Sequence, residues 1–496
     1  MSRRSASTGS PTTPSGRGAR RRERGALAIV LHTHMPYVEG FGTWPFGEEW
    51  LWEAIAGCYL PLLDLLDSRE PPVTLSITPV LCDQLGAPGL AERFHAFIDD
   101  TRRFTHAEDA AGLRAGGHDD LAAELERAWS ADYEYAARAM AERGGDLLRA
   151  FAPHARWTSC ATHAVLPLLA TDAGARLQVQ SGIASHIERI DADWQGGFWL
   201  PECAHAHHLE PILAAAGVQR TCVELTGRHG LGARSHLQPL VPDSGIELLP
   251  IDRATIALVW SDAGYPADGA YRDYHRHTIH HHNPWRNDGG AYDHDLALAR
   301  AREHAADFVA RTRERLRRDG EGMPGGGLAV CALDTELLGH WWYEGLHWLE
   351  AVIEQCDSQG LELTRLDDDA LERFEPAPVD DVAWEASSWG ADGDLSTWSG
   401  PAVADMAFAA RAGELRTLAA ATDGRAGSAA VRELLALQAS DWAFMISRGL
   451  AVPYARERFE GHRAALEEAL REGPDASIEG LRELAVGVDM PALLAP

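Results

Sequence analysis

The run Leu328, Ala329, Val330, Cys331, Ala332, Leu333, followed at once by Asp334, constrains this chain most. Six apolar residues without a polar break have the length and composition of a strand buried on both faces, and Gly325 to Gly327 break the chain just ahead of it. Such a strand needs helices on both sides of its sheet. An acid at its carboxyl end lies where sheets wrapped by helices place their ligands. Asp334 is therefore either a carboxyl poised for chemistry or the cap of the next helix. Glu336, His340, Trp341 and Trp342 follow within a few residues.

The same arrangement recurs. Residues 26–31 form a strand-like run that ends on His32 and His34, and alternation puts both on one side. An HxH pair can ligate a metal, or it can hydrogen-bond a sugar and a carboxylate. No third ligand is nearby in sequence, so no metal and no cofactor is expected. Residues 157–161 lead to His163, and residues 196–202 read as a short strand whose Pro201 stiffens the backbone before Glu202. Glu202 is thus a second acid at a strand end. Further strands are expected at 73–77, 220–224, 246–251, 255–260 and 361–366. Helical spacing appears at 48–66, 174–190 and 292–318. A stripe through Leu125, Trp129, Tyr133, Ala137 and Met140 marks a long helix within a helical insertion at about 90–150, where Trp129 and Tyr133 serve packing. Strands alternating with helices predict a parallel barrel or a wound sheet.

Composition narrows the function. With 496 residues, 45% of them hydrophobic, the chain can bury a large core and a smaller second unit. A formal charge of −29 argues against nucleic acid or an anionic membrane surface as partner and favours a neutral substrate. The seven cysteines are scattered and never spaced as CxxC, which fits a reducing cytoplasm better than a disulfide framework. No run is long enough for a transmembrane helix. Residues 1–24 are rich in Ser, Thr, Pro, Gly and Arg and read as a disordered basic tail rather than an export signal. Nothing calls for a partner chain, and a monomer is expected.

The stretch 261–290 holds too many Gly, Pro and Asp residues for a regular element, and reads as a lid or binding loop. Its histidine run, His280 to His282, reads as a solvated polar segment. Residues 386–398, ASSWGADGDLSTW, suit a rim, and Trp260, Trp389 and Trp398 are each either a stacking platform for a sugar ring or core. After Pro401 the chain is alanine-rich and helical, including the stretch 434–445 with LALQASDWAFM at its end. The expected division is therefore 1–24, 25–398 and 399–496.

HTHMPYV, TSCATHAVLPLL, GFWLPECAH, LDTELLGHWWYEG and SSWGADGD, in this order, resemble the five signature regions of glycoside hydrolase family 57. The segments WPFGEEWLWEA, VWSDAGYPADGAYRDYHR and LQASDWAFMISRGLAVPYARERF are similar to the 1,4-α-glucan branching enzymes of that family. The resemblance implies a distorted, TIM-like (β/α)7 barrel with an inserted helical subdomain and an all-helical C-terminal domain. It implies retaining cleavage of α-1,4-glucan and transfer to a 6-hydroxyl, with Glu202 as nucleophile and Asp334 as general acid/base. His32, His34 and His163 match sugar-binding histidines, Trp389 an aromatic of the fifth region, and Tyr265 the tip of the lid loop. Trp341 and Trp342, with His340, then form the wall beside Asp334. His205 stands where tyrosine is common, and HAVLP replaces the usual HGYSP type, so the subsites differ from the family pattern. A family relative that mainly hydrolyses or disproportionates α-1,4-glucan, and a metal-dependent deacetylase using His32 and His34, are the alternatives.

Overall fold

The computed structural model describes residues 25–42, 46–367, 369–379, 385–477 and 489–494. The basic tail expected over 1–24 lies outside the described residues. Among the described residues, ten strands alternate with helices: β1 (Ala26–Thr33), β2 (Thr74–Ile77), β3 (Ala155–Ser159), β4 (Gly197–Trp199), β5 (Arg220–Val223), β6 (Leu240–Val241), β7 (Glu247–Pro250), β8 (Leu328–Asp334), β9 (Glu362–Leu363) and β10 (Ala377–Pro378). β8, β1, β2, β3, β4, β5 and β7 pair side by side and in parallel. Just past β7, Ile251 bridges in parallel to Val330 of β8, and Asp252 N–H donates to Val330 O at 2.8 Å. These seven strands therefore close on themselves as a (β/α)7 barrel. β6 and β10 extend the sheet beside β7, and β9 pairs with the start of β1.

Burial explains the pattern of the strands. Every residue of β1 is buried, and so is every residue of β8 before Asp334, because helices such as His294–Asp319 and Gly345–Gln359 cover the outside while side chains fill the inside. The closure explains a departure from expectation. Residues 255–260 form no strand: Arg253–Ile256 is a helical turn, with Thr255 and Ile256 N–H donating to Asp252 O. The β-branched residues there suggest a strand, but Ile251 has already completed the ring, and buried Asp252 is held by Arg315 and Thr255. Likewise residues 361–366 contribute only β9.

Residues 90–151 fold as consecutive helices, with π turns at Phe97–Arg102 and Trp129–Glu134. Tyr133 is buried there, consistent with packing. Helices Ala404–Thr422, Ser428–Leu437, Ser440–Ser447 and Val452–Glu472 form the C-terminal region. It docks on the barrel through buried Glu414, which accepts from Ala170 N–H and the Thr171 hydroxyl, and through a bridge between Ala164 and Ala439.

Register sets the site. β1 lies between β2 and β8 so that His32 is opposite both Ser76 and Asp334. One row of residues at the carboxyl ends of three strands thus carries the polar groups.

Candidate active site

The row at the strand ends is completed by two loops and one helix. His163 follows β3 and Glu202 follows β4. Both have positive φ, 59° and 62°, as does Cys203 at 49°. Outside glycine such backbone is sparsely populated, costs on the order of 1–3 kcal/mol, and persists where surrounding contacts overdetermine it. Here the contacts are hydrogen bonds to the side chain. Trp389 donates from Nε1 to Glu202 Oε2 at 2.8 Å and from its backbone N–H to Glu202 O, while Ser440 Oγ donates to Glu202 Oε1 at 2.9 Å. Ser440 stands at the first turn of the C-terminal helix Ser440–Ser447 and donates its backbone N–H to His163 O.

The three histidines stack. His34 and His163 ring centroids are 4.0 Å apart, His32 and His163 4.9 Å, and His32 lies against Trp199 at 4.7 Å. His32 joins Ser76 Oγ at 2.7 Å through Nδ1 and His163 Nε2 at 2.9 Å through Nε2. His34 joins Thr78 through Nδ1 and Asp441 Oδ1, at 2.9 Å, through Nε2. Glu336 accepts from the Tyr59 hydroxyl at 2.7 Å and from His34 N–H at 3.2 Å.

Electrostatics separate the carboxyls. Burial raises the Asp334 pKa well above the usual value, and the negative charges of Glu336 and Glu202 raise it further against the pull of His34. Burial also raises Glu202, but the bonds from Trp389 and Ser440 favour its ionised form and oppose the rise. An indole N–H only donates, so Trp389 specifically stabilises a carboxylate. Paired acids whose surroundings push their pKa values apart divide into proton donor and anion. The rise at Asp334 favours its protonated form, while the two donors at Glu202 favour the carboxylate. Burial disfavours a charged His34, yet Asp441, Glu336 and Glu202 together outweigh it and raise its pKa. His32 and His163 are neutral, because burial and then the neighbouring histidine charge push both well below the usual range.

His34, His163 and Asp441 bring three donor atoms within 4.8 Å of one another. His34 and His163 are stacked within 19° of parallel, so their in-plane lone pairs run alongside each other rather than converging, and His163 Nε2 is already bonded to His32. Each ring nitrogen of His34 and His163 is bonded to a protein group, so neither histidine offers a metal a free lone pair.

The remaining expected residues divide. Trp341 and Trp260 are exposed, with ring centroids 6.0 Å apart, and His340 lies 6.2 Å from both Trp341 and Tyr274, forming an open aromatic surface. Trp342 is buried against Tyr271 and Trp348, so it is core rather than the wall of Asp334. Trp398 is also core: at 3% exposure it packs with Val165 and Ala204 and has no face to offer a sugar. Tyr265 is 9% exposed, its hydroxyl donating to Asp307 and its ring on His304, so it is docked on helix His294–Asp319 instead of standing at a lid tip. The histidine run is no solvated tail either. His282 is buried against His106, and His280 pairs with Asp109, tying the loop to the helices of residues 90–151. Ser440 and Asp441 are functional-site residues that carried no expectation. Their signal was an adjacent polar pair inside the apolar stretch 434–445.

Comparison with known proteins agrees with this geometry. Residues 157–380 match the family model of glycosyl hydrolase family 57, and residues 402–484 match that of the 1,4-α-glucan branching enzyme C-terminal region. A 1,4-α-glucan branching enzyme of Thermococcus kodakarensis is 31% identical over 491 residues, covering 88% of this chain and 72% of that protein. The chain belongs to glycosyl hydrolase family 57. A Mycobacterium tuberculosis member, named as a probable 1,4-α-glucan branching enzyme, is also 31% identical, over 90% of this chain and 91% of its own length. The crystal structure of a family 57 branching enzyme from Pyrococcus horikoshii superposes with a TM-score of 0.84 at 28% identity, covering 95% of this chain and 97% of that one.

Glu336 offers a direct check on the electrostatics. Burial lifts its pKa from 4.5 to about 7, against the Tyr59 hydrogen bond. A carboxyl raised on folding favours the native state below its unfolded value and loses that contribution as pH climbs through the folded one. Glu336→Gln cannot ionise, so it should gain stability relative to wild type between pH 4.5 and about 7, by a few kcal/mol, in denaturant unfolding at the two ends of that window. A gap independent of pH would show that Glu336 does not carry this charge.

Proposed function

We propose that the chain is a 1,4-α-glucan branching enzyme acting by retaining double displacement, with α-1,4-glucan as its substrate. The observation that carries this reading is a Glu202 carboxyl that accepts from two donors and, through its charge, raises the pKa of Asp334, in a site completed by a helix that matches the branching-enzyme C-terminal region. A retaining enzyme uses one carboxylate as nucleophile and one carboxylic acid as proton donor. In the first step Glu202 attacks the anomeric carbon while Asp334 gives its proton to the departing glycosidic oxygen. The products are a glycosyl ester on Glu202, a released chain with a free 4-hydroxyl, and an Asp334 carboxylate. In the second step that carboxylate takes the proton of an acceptor's 6-hydroxyl, whose oxygen displaces Glu202 and makes the α-1,6 bond. The charge of His34, held by Asp441, favours the Glu202 carboxylate at both ends of the cycle.

His32, His34 and His163 are placed to hold the glucose unit at the point of cleavage. Trp260, Trp341 and His340 provide faces on which neighbouring rings stack. Free, buried cysteines support a cytoplasmic setting. Among the described residues no helix is long and apolar enough to cross a membrane.

Incubation with amylose, followed by proton NMR of the α-1,6 to α-1,4 ratio and a reducing-end assay, tests the reaction. New α-1,6 signals with little reducing sugar are expected; reducing sugar without α-1,6 signals would assign hydrolysis instead. Glu202→Gln and Asp334→Asn should each leave below about a thousandth of the wild-type rate without loss of folding. Near-normal turnover in either would refute its role. Loop 261–290 is proposed as the cover that limits water, with Tyr265 as its anchor on Asp307. Tyr265→Ala should therefore raise hydrolysis relative to branching, and an unchanged ratio would remove the loop from that role.

A further inference from the structure

The hydrogen bonds that end on Glu202 permit only one direction. An ionised carboxylate accepts, so the single hydroxyl proton of Ser440 points to Glu202 Oε1. His163 Nδ1, 2.9 Å from the same Ser440 oxygen, must then donate to it. His163 is neutral, so its Nε2 carries the lone pair and accepts from His32 Nε2. His32 is neutral as well, so its Nδ1 accepts, and the donor to it is the hydroxyl of Ser76. All four bonds run one way along buried groups, from the end of β2 to the oxygen of Glu202.

We infer that Ser76 is a positioning residue for the nucleophile: its hydroxyl, donating to His32 Nδ1, anchors the far end of the chain whose one direction leaves Ser440 free to donate to Glu202. The inference rests on the reading of Glu202 as nucleophile. Ser76 touches no substrate and acts through three side chains. Register makes the arrangement possible, because Ser76 and His32 are cross-strand partners on β2 and β1.

The opposite direction shows what the Glu202 carboxylate excludes. With His163 protonated on Nε2 and donating to His32, His163 Nδ1 would accept the Ser440 hydroxyl, and Glu202 Oε1 would lose its donor. Nothing in the pair of imidazoles themselves favours one direction. A hydroxyl at residue 76 can donate or accept, so the direction is decided jointly by the fixed acceptor at one end, Glu202, and by a partner able to donate at the other. Removing the Ser76 hydroxyl leaves His32 Nδ1 unpaired whichever way the chain runs, as a lone pair in this direction and as an N–H in the other, so the far end of the chain loses its anchor. Leaving-group departure in the second step would suffer too, since the Glu202 carboxylate is then the group released.

The test reads tautomers directly. The full chain labelled with nitrogen-15 at histidine, examined by long-range proton–nitrogen correlation, should show His32 protonated on Nε2 alone and His163 on Nδ1 alone. His163 protonated on Nε2 in the wild type would overturn the inference, and this reading requires no turnover, so it stands or falls separately from the role of Glu202. In Ser76→Ala the His32 Nδ1 signal should move to the value of an unbonded ring nitrogen while both protonation sites stay, with kcat on amylose falling about tenfold and KM little changed, the worth of one hydrogen bond. Ser76→Thr, which keeps the hydroxyl, should restore the Nδ1 signal and the rate together. An unmoved Nδ1 signal with full kcat in Ser76→Ala would also overturn it. Should Ser76→Ala fail to fold, the wild-type spectrum alone decides.

Discussion

Three carboxyls, buried Glu202 and Glu336 and half-buried Asp334, gather around His34, and the arrangement of the site depends on that constraint. Like charges removed from water cannot all ionise at once, and each must find donors or keep its proton. Glu202 receives two donors, and Glu336 receives the Tyr59 hydroxyl and a backbone N–H. Burial and two like charges raise Asp334 well above its ordinary value and favour its protonated form. On the proposed assignment, acid and nucleophile are therefore set by environment, not by residue type. Glu336 contributes as a negative neighbour that lifts Asp334 while its own oxygen fixes the His34 backbone.

The barrel alone does not meet the constraint. One donor to Glu202, and the anion that keeps His34 charged, come from Ser440 and Asp441 on a C-terminal helix. Docking of the helical region on the barrel, through Glu414 and the Ala164–Ala439 bridge, is thereby coupled to the chemistry. The left-handed backbone at His163 and Glu202 belongs to the same device. It turns both side chains toward partners that a regular strand end would miss, and those partners hold it in place.

Much of this was legible in the chain. Apolar runs ending on His32, His163, Glu202 and Asp334 marked β1, β3, β4 and β8, because strands buried on both faces leave a continuous apolar signature and release polar residues only at their ends. Departures arose where tertiary contacts override local pattern. The β-branched stretch at 255–260 is not a strand because Ile251 had already closed the barrel. Trp398 looks like a sugar platform and Trp342 like a wall beside Asp334 by type, yet only burial distinguishes such a face from a core ring. Tyr265 is fixed by Asp307, a partner 42 positions away that no local pattern could reveal. Ser440 and Asp441 were hidden for the same reason: a Ser–Asp pair in a helix is ordinary until the fold sets it against Glu202 and His34.

The division of labour between the two acids is the central claim, and covalent trapping tests it most directly. An α-maltosyl fluoride needs no proton for its leaving group, so Asp334→Asn should still be glycosylated but lack the base to release the sugar. Protease digestion and mass spectrometry should then find the maltosyl group on the peptide that contains Glu202, and no adduct in Glu202→Gln. Label on any other residue, or none on the Glu202 peptide of Asp334→Asn, would contradict the assignment.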